Sequence, residues 1–290
     1  MNKLTVVIPS RAEPDRNAPD EQFLSPTVAD LFAKAHGEVE VIVALDGYWP
    51  TDEFMPAGDK RLRYVHWGKA GGMRRGIDAA AAISTGNYLM KTDSHCMFRD
   101  GYDLALIEAS QRNWVQIPRR YSLNPEAWTK YKHPRDYMYL SYPDNPNDWG
   151  GKGFHGREWR ERDKDKELQK IDLDQTMSFQ GSCWFMPLDY FYHLGLMDSE
   201  NYGPFYQEAQ DIGMKVFLDG GRIMRNKRTW YAHLHKGSRG RGFFLNASGF
   251  QQPVEATKKL VRENREKLEP IFESFQPLPG WPDDWKDKIF

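Results

Sequence analysis

Leu89-Met90-Lys91-Thr92-Asp93-Ser94-His95-Cys96 is the stretch on which the reading of this chain turns. An apolar run that reads as a buried strand ends in an acid and an imidazole two residues apart. In an extended segment residues i and i+2 face the same side, so Asp93 and His95 can reach one ion. A hard carboxylate oxygen beside a borderline imidazole nitrogen suits a divalent ion such as Mn²⁺, and such an ion can hold a diphosphate. An ordinary polar strand end is the bland alternative, and a bare Asp-x-His does not separate the two.

The sequence around this stretch supports a site. LTVVIPSR, VEVIVALDG and RLRYVHWG read as three further buried strands, and a helix is expected from about Thr27 to His36, stopped by Gly37. Gly71-Gly72 opens MRRGIDAAAAISTG, whose alanines favour helix and whose Gly86 marks the exit. Apolar strands separated by helices imply an α/β fold with a mostly parallel sheet covered on both faces. Ligands on such sheets gather at the carboxyl ends of the strands. Arg11, Asp46, Gly68 and Asp93 all stand at such ends.

At 290 residues the chain can bury a sizeable core, and its net charge of -1 gives no global attraction for nucleic acid or membrane. Aromatics make up 14%, including ten tryptophans, which suits planar or sugar-like ligands as well as a plain aromatic core. Two cysteines, Cys96 and Cys183, lie in apolar runs and do not make a disulfide framework. With no leader-like start and no bilayer-length apolar run, a soluble, cytoplasmic protein without a membrane span is expected.

From about Arg119 to Asp174 the rhythm breaks into a segment rich in Tyr, Trp, Pro and mixed charge. It reads as an excursion over the carboxyl edge, part helix and part loop, with REWRERDKDKELQK as a solvated face. The pattern then resumes with SFQGSCWFMP. GPFYQEAQDIGMKVFLDGG reads as a helix with Glu208 and Asp211 on one face, and a short strand RIMRN leads to Trp230-Tyr231-Ala232-His233-Leu234-His235. PVEATKKLVRENREKLEPIFESF has helical spacing, and the tail with Trp281 and Trp285 reads as loosely ordered.

Four of these segments, in order, resemble a known family. KAGGMRRGIDAAAAISTGNYLMKTDSHC, QGSCWFMPLDYFYHLGLMD, EAQDIGMKVFLDGG and WYAHLHK are similar to consecutive motifs of the catalytic domain of polypeptide N-acetylgalactosaminyltransferases and, more loosely, of family 2 glycosyltransferases with the GT-A fold. Ala209 departs from the acidic pair of that family's helix, and the central segment does not match. The resemblance implies a Rossmann-like nucleotide-binding sheet and a GT-A domain over 1–250. That domain divides into a nucleotide-sugar half (1–98), an insertion over the site (119–174) and an acceptor half with lid (175–250). A C-terminal helix and tail occupy 251–290.

The same resemblance implies roles. A nucleotide-diphosphate sugar, UDP-linked or similar, is the expected donor. Pro9, Ser10 and Arg11 would line the nucleobase pocket, Asp46 would accept from uracil or ribose, and Gly72 with Arg74 or Arg75 would approach the diphosphate. Mn²⁺ or Mg²⁺ would be held by Asp93, His95 and His233, with His235 competing for the third position. Trp184 would pack near the sugar or in the core. Glu208 and Asp211 would act on the acceptor side, as general base or as positioning acids, unless they are merely helix-surface acids. Gly237–Gly242, with Arg239 and Arg241, reads as a lid or a linker. The expected activity is transfer of a sugar to an acceptor hydroxyl on a glycan, protein, metabolite or modified DNA base. A nucleotidyltransferase and a non-catalytic nucleotide- or sugar-binding protein are the alternatives.

Overall fold

In the computed structural model, which describes residues 2–11, 21–52, 55–56, 58–145, 153–235 and 247–290, the N-terminal apolar run is strand β1 (Lys3–Ser10). Helix α1 (Glu21–Lys34) comes next, then β2 (Glu38–Asp46), β3 (Leu62–Trp67), α2 (Met73–Ala82), β4 (Tyr88–Thr92) and β5 (Cys96–Phe98). α1 extends further toward the N-terminus than the expected 27–36. Pro26 is accommodated inside the helix.

The middle of the chain holds α3 (Tyr102–Glu108), β6 (Trp114–Asn124), β7 (Thr129–Lys130), β8 (Met138–Leu140), β9 (Gly156–Glu158), α4 (Arg160–Lys164), a 3-10 turn at Leu168–Lys170 and β10 (Leu173–Gln175). β11 (Cys183–Pro187), α5 (Leu188–His193), α6 (Ser199–Tyr202), α7 (Glu208–Leu218) and β12 (Arg222–His233) complete the domain core. The chain ends in α8 (Ala247–Glu263), α9 (Arg265–Ser274) and α10 (Trp285–Ile289).

The main sheet runs β10-β12-β6-β11-β4-β1-β2-β3, with β5 added to β12 and β7 to β6. β4, β1, β2 and β3 are mutually parallel, as is the β6–β12 pair. β11 lies between β4 and β6 and is antiparallel to both. The sheet is therefore mostly parallel, as expected, with an antiparallel strand at its centre where the chain re-enters from the opposite end. Within the expected excursion, β6 runs on from Arg119 to Asn124, and a short β8–β9 ribbon forms further along.

Side chains alternate between two cores, as the pleat requires. Leu4, Val6 and Ile8 of β1, with Val41 and Val43 of β2, pack toward α1 and α3. Val7 and Ile42 face the other way, into a core shared with Ile77 of α2, Ile212 of α7, Val261 of α8 and Leu268 and Phe272 of α9. The tail is well anchored, contrary to the expectation of loose order. Trp285 is buried beside Phe272, and the Trp281 indole N–H donates to the Leu140 carbonyl at 2.7 Å. No helix among the described residues is long and apolar enough to cross a membrane.

Candidate active site

β4 stops at Thr92, where the Asp93 N–H donates to the Ser182 carbonyl at 3.0 Å. Asp93 and His95 thus sit on a bend between β4 and β5, not in one extended segment. β5 pairs with β12 so that His233 lies across from Cys96, and the Leu234 N–H donates to the His95 carbonyl at 3.1 Å. These pairings bring three distant ligand types to one point. The Nε2 atoms of His95 and His233 are 3.0 Å apart, and Asp93 Oδ2 lies 3.2 Å from the second and 3.9 Å from the first.

Ligands at about 2.1 Å on neighbouring corners of an octahedron stand about 3 Å apart, so this spacing and donor set fit Mn²⁺ or Mg²⁺. Burial pushes the His233 pKa down to about 4, which keeps its ring in the neutral form that a ligand needs. His235 is differently employed. Its Nε2 accepts from Arg120 at 3.3 Å and Arg135 at 3.2 Å, and the grouping that could hold an ion is Asp93, His95 and His233.

Behind the cluster stands Lys91, which the sequence reading did not single out. It is fully buried, and its ammonium donates to Asp93 Oδ1 at 2.6 Å and to the Gly181 carbonyl at 2.6 Å. It also lies 3.4 Å from Glu208 Oε2. The other Glu208 oxygen accepts from the Trp184 indole at 2.7 Å. One cation thus joins the cluster to a buried acid whose pKa is raised by burial. Gly181 makes the approach possible, since a methyl group there would lie 2.5 Å from Glu208 Oε2. The signal for Lys91 was a lysine inside an apolar strand, on the same face as Asp93.

Several expected roles meet a different geometry. Asp211 is wholly buried and bonded to Arg74 Nη1 at 2.7 Å, with Lys215 at 2.9 Å. It does not line the cleft, so an acceptor-side role gives way to an internal ion pair. Arg74 is equally buried and donates to the Tyr206 carbonyl at 3.0 Å, so its guanidinium is engaged inside the protein. Arg75 is exposed and lies over the Trp67 ring. Trp184 is a core side chain stacked on Phe191, and its polar atom is taken by Glu208.

The Asp46 carboxylate accepts from the Gly71 N–H at 2.6 Å and from the Gly72 N–H at 3.0 Å, so it braces the turn into α2 instead of presenting two open oxygens to a nucleoside. Pro9, Ser10 and Arg11 do lie at the end of β1 beside β2, with the Ser10 and Tyr48 hydroxyls hydrogen-bonded. Arg239 and Arg241 lie outside the described residues.

A cleft of about 260 Å³ opens beside the cluster. Lys91, Asp93, Gly181 and Glu208 form part of its lining. His155, Arg157, Gln180 and Tyr206 contribute polar groups that the sequence reading missed. Tyr206 and Gln207 both have positive φ, 78° and 54°, at the start of α7. Non-glycine residues hold that conformation only where their surroundings impose it, and it turns the first residues of α7 toward the cleft.

A large central sheet flanked by helices, with its strand ends gathered on one cleft, fits an α/β protein of the GT-A fold. The chain belongs to glycosyl transferase family 2, whose pattern matches residues 5–195. It is also similar to "Polypeptide N-acetylgalactosaminyltransferase 5" of Caenorhabditis elegans, 24% identical over 176 residues that make up 60% of this chain and 27% of that one. Among solved structures it resembles "Crystal structure of GalNAc-T7 with UDP, GalNAc and Mn2+", with a TM-score of 0.64 and 15% identity over 99% of this chain and 54% of that one. The chain thus spans about a quarter of that curated relative and about half of the solved one.

Proposed function

We propose that this protein transfers a sugar from a nucleotide-diphosphate sugar, UDP-linked, to an acceptor hydroxyl, with Mn²⁺ or Mg²⁺ held by Asp93, His95 and His233. The convergence of these three donor atoms within 4.8 Å, at the carboxyl end of β4 inside the segment that matches the family, carries the reading. The solved neighbour binds UDP, GalNAc and Mn²⁺, which supports the same donor chemistry here. Held by Asp93, His95 and His233, such an ion would supply positive charge to offset that of a departing diphosphate.

The protein groups divide the remaining work. His233, neutral because burial holds its pKa down, keeps its lone pair for the ion. Lys91 fixes Asp93 through Oδ1 and leaves Oδ2 facing the histidines. Trp184 and Lys91 hold Glu208 from its two oxygens, so its carboxyl meets a sugar or acceptor hydroxyl in a fixed direction. Asp211 acts one step back, anchoring Arg74, which in turn holds the Tyr206 carbonyl at the entrance to α7.

A melting-temperature series with UDP and UDP-sugars, with and without MnCl₂, tests the donor site. UDP stabilisation is expected to require Mn²⁺ and to be lost in Asp93→Ala. Full Mn²⁺-dependent stabilisation of that variant by UDP would place the metal elsewhere. Product analysis tests the reaction: release of UDP is expected, whereas release of pyrophosphate would make the protein a nucleotidyltransferase.

A further inference from the structure

One wall of the cleft is the β8–β9 ribbon, which reaches it through Met138, Gly156 and Arg157. Lys91, Asp93, Gly181 and Glu208 form another part of the lining. Here Lys91 joins the strand-end cluster to the first residue of α7, and its position is unusual for a buried cation.

An ammonium has three N–H donors. Those of Lys91 meet Asp93 Oδ1 at 2.6 Å, the Gly181 carbonyl at 2.6 Å and Glu208 Oε2 at 3.4 Å. The two acids share the cation unequally. Asp93, with a side chain 28% exposed, holds it closely, whereas Glu208, 7% exposed, holds it at the longer distance. Water screens the more exposed acid, so the buried one has the greater need of a counter-charge. Neutralising Glu208 would by itself draw the ammonium the other way. The placement of Lys91 therefore answers to Asp93 as well.

Asp93 divides its two oxygens. Oδ1 meets Lys91, and Oδ2 faces His233 at 3.2 Å and His95 at 3.9 Å. A carboxylate that gives Oδ2 to a divalent ion has less charge left for an ammonium on Oδ1, and the two cations repel each other across it. Glu208 is the other partner open to the ammonium. The Trp184 indole holds its Oε1 at 2.7 Å, which keeps Oε2 directed at Lys91.

We propose that Lys91 is a positioning residue that ties metal affinity to Glu208. As Asp93 takes the ion, the ammonium shifts from Asp93 toward Glu208, and Glu208 thereby strengthens a site to which it contributes no ligand. This deepens the metal-dependent glycosyltransferase reading and rests on it. The link is reciprocal. An Asp93 engaged at Oδ2 releases the ammonium to Glu208, which holds that carboxylate in place for an acceptor hydroxyl.

A double-mutant cycle on Mn²⁺ binding tests it. Free Mn²⁺ is read from its EPR signal in MnCl₂ titrations, without and with UDP, for the wild type, Glu208→Gln, Lys91→Met and the double variant. Lys91→Gln, which keeps an N–H donor for the Gly181 carbonyl and has no charge, repeats the cycle in case Lys91→Met does not fold. Melting temperatures report folding. With Lys91 present, Glu208→Gln is expected to raise the Kd for Mn²⁺ about fivefold or more. In the Lys91→Met or Lys91→Gln background the same change is expected to move it less than about twofold. A Glu208 that is only structural would lower the melting temperature and leave the Kd unchanged, and that result overturns the proposal. So does an effect of equal size in both backgrounds, which would mean that the acid acts on the ion without Lys91. Mn²⁺ binding that survives Asp93→Ala, or its absence from the wild type with and without UDP, would instead remove the metal reading itself.

Discussion

Lys91 is a cation in a strand that is otherwise apolar, and its partners account for its presence there. Taking an ammonium out of water costs several kcal/mol, and two carboxylates and a carbonyl offset that cost. The acids raise its pKa against the opposing effect of burial, so it stays charged. Lys91→Met leaves Glu208 buried without its cation, and the expected loss is about 3 kcal/mol in a urea titration. Adding Glu208→Gln to that variant is expected to recover part of the loss, since a neutral amide no longer needs the ammonium. A double variant no more stable than Lys91→Met would mean that the two side chains are not coupled.

His235 offers a second prediction at this scale. Burial, then the neighbouring His233 and arginines, hold its pKa down to about 3. In the unfolded chain it titrates near 6.5, so between those values the unfolded state binds a proton that the folded state refuses. Stability conferred by the neutral ring is complete above about pH 6.5 and is lost as pH falls below it. The unfolding free energy of the wild type is therefore expected to drop about 1–2 kcal/mol more than that of His235→Asn between pH 7 and pH 4.5. Parallel curves would contradict the shift. Asp93 does not confuse the comparison, because its depressed pKa acts below the ordinary carboxylate range, and Glu208 is common to both proteins.

At the scale of the element, the turn into α2 shows what local sequence can and cannot reveal. Gly71-Gly72 before an alanine-rich run announced the helix, and the Gly72 φ of 99° explains the glycine. A Cβ there would lie 2.4 Å from Pro204 Cβ and 2.6 Å from its carbonyl oxygen. Gly72→Ala is expected to cost about 3 kcal/mol by denaturation, from strain and overlap together, and a loss within 0.5 kcal/mol would show that the turn can shift.

The strands of the first hundred residues and the meeting of Asp93, His95 and His233 were legible because each depends on a short pattern or on motif order. The Arg74–Asp211 and Lys91–Glu208 pairs were not, since their members are 137 and 117 residues apart in sequence. Only the antiparallel entry of β11 and the approach of α7 bring them together. Asp46 was read as a ligand group because a strand-end acid looks the same whether it meets a nucleoside or the amides of the next turn.

For the whole molecule, the last forty residues belong to the body that supports the cleft. Phe272 of α9 is wholly buried and ringed by Phe154, Trp281, Trp285 and Phe290, with centroids 5.8–6.4 Å away. Phe154 directly precedes His155, and its carbonyl accepts from Gln207 Nε2 at 3.0 Å. The C-terminal helices therefore press on the ribbon and on the start of α7 together, the two segments that flank Glu208. Phe272→Ala is expected to cost about 3–5 kcal/mol, the range for an aromatic removed from a packed core. Below the temperature at which the variant unfolds, the cavity also loosens the ribbon wall. KM for the acceptor is then expected to rise more than KM for the UDP-sugar, whose proposed anchor at Asp93, His95 and His233 lies at the ends of β4 and β12. Equal effects on both constants would mean that the C-terminal helices support the domain as a whole and not the acceptor wall in particular.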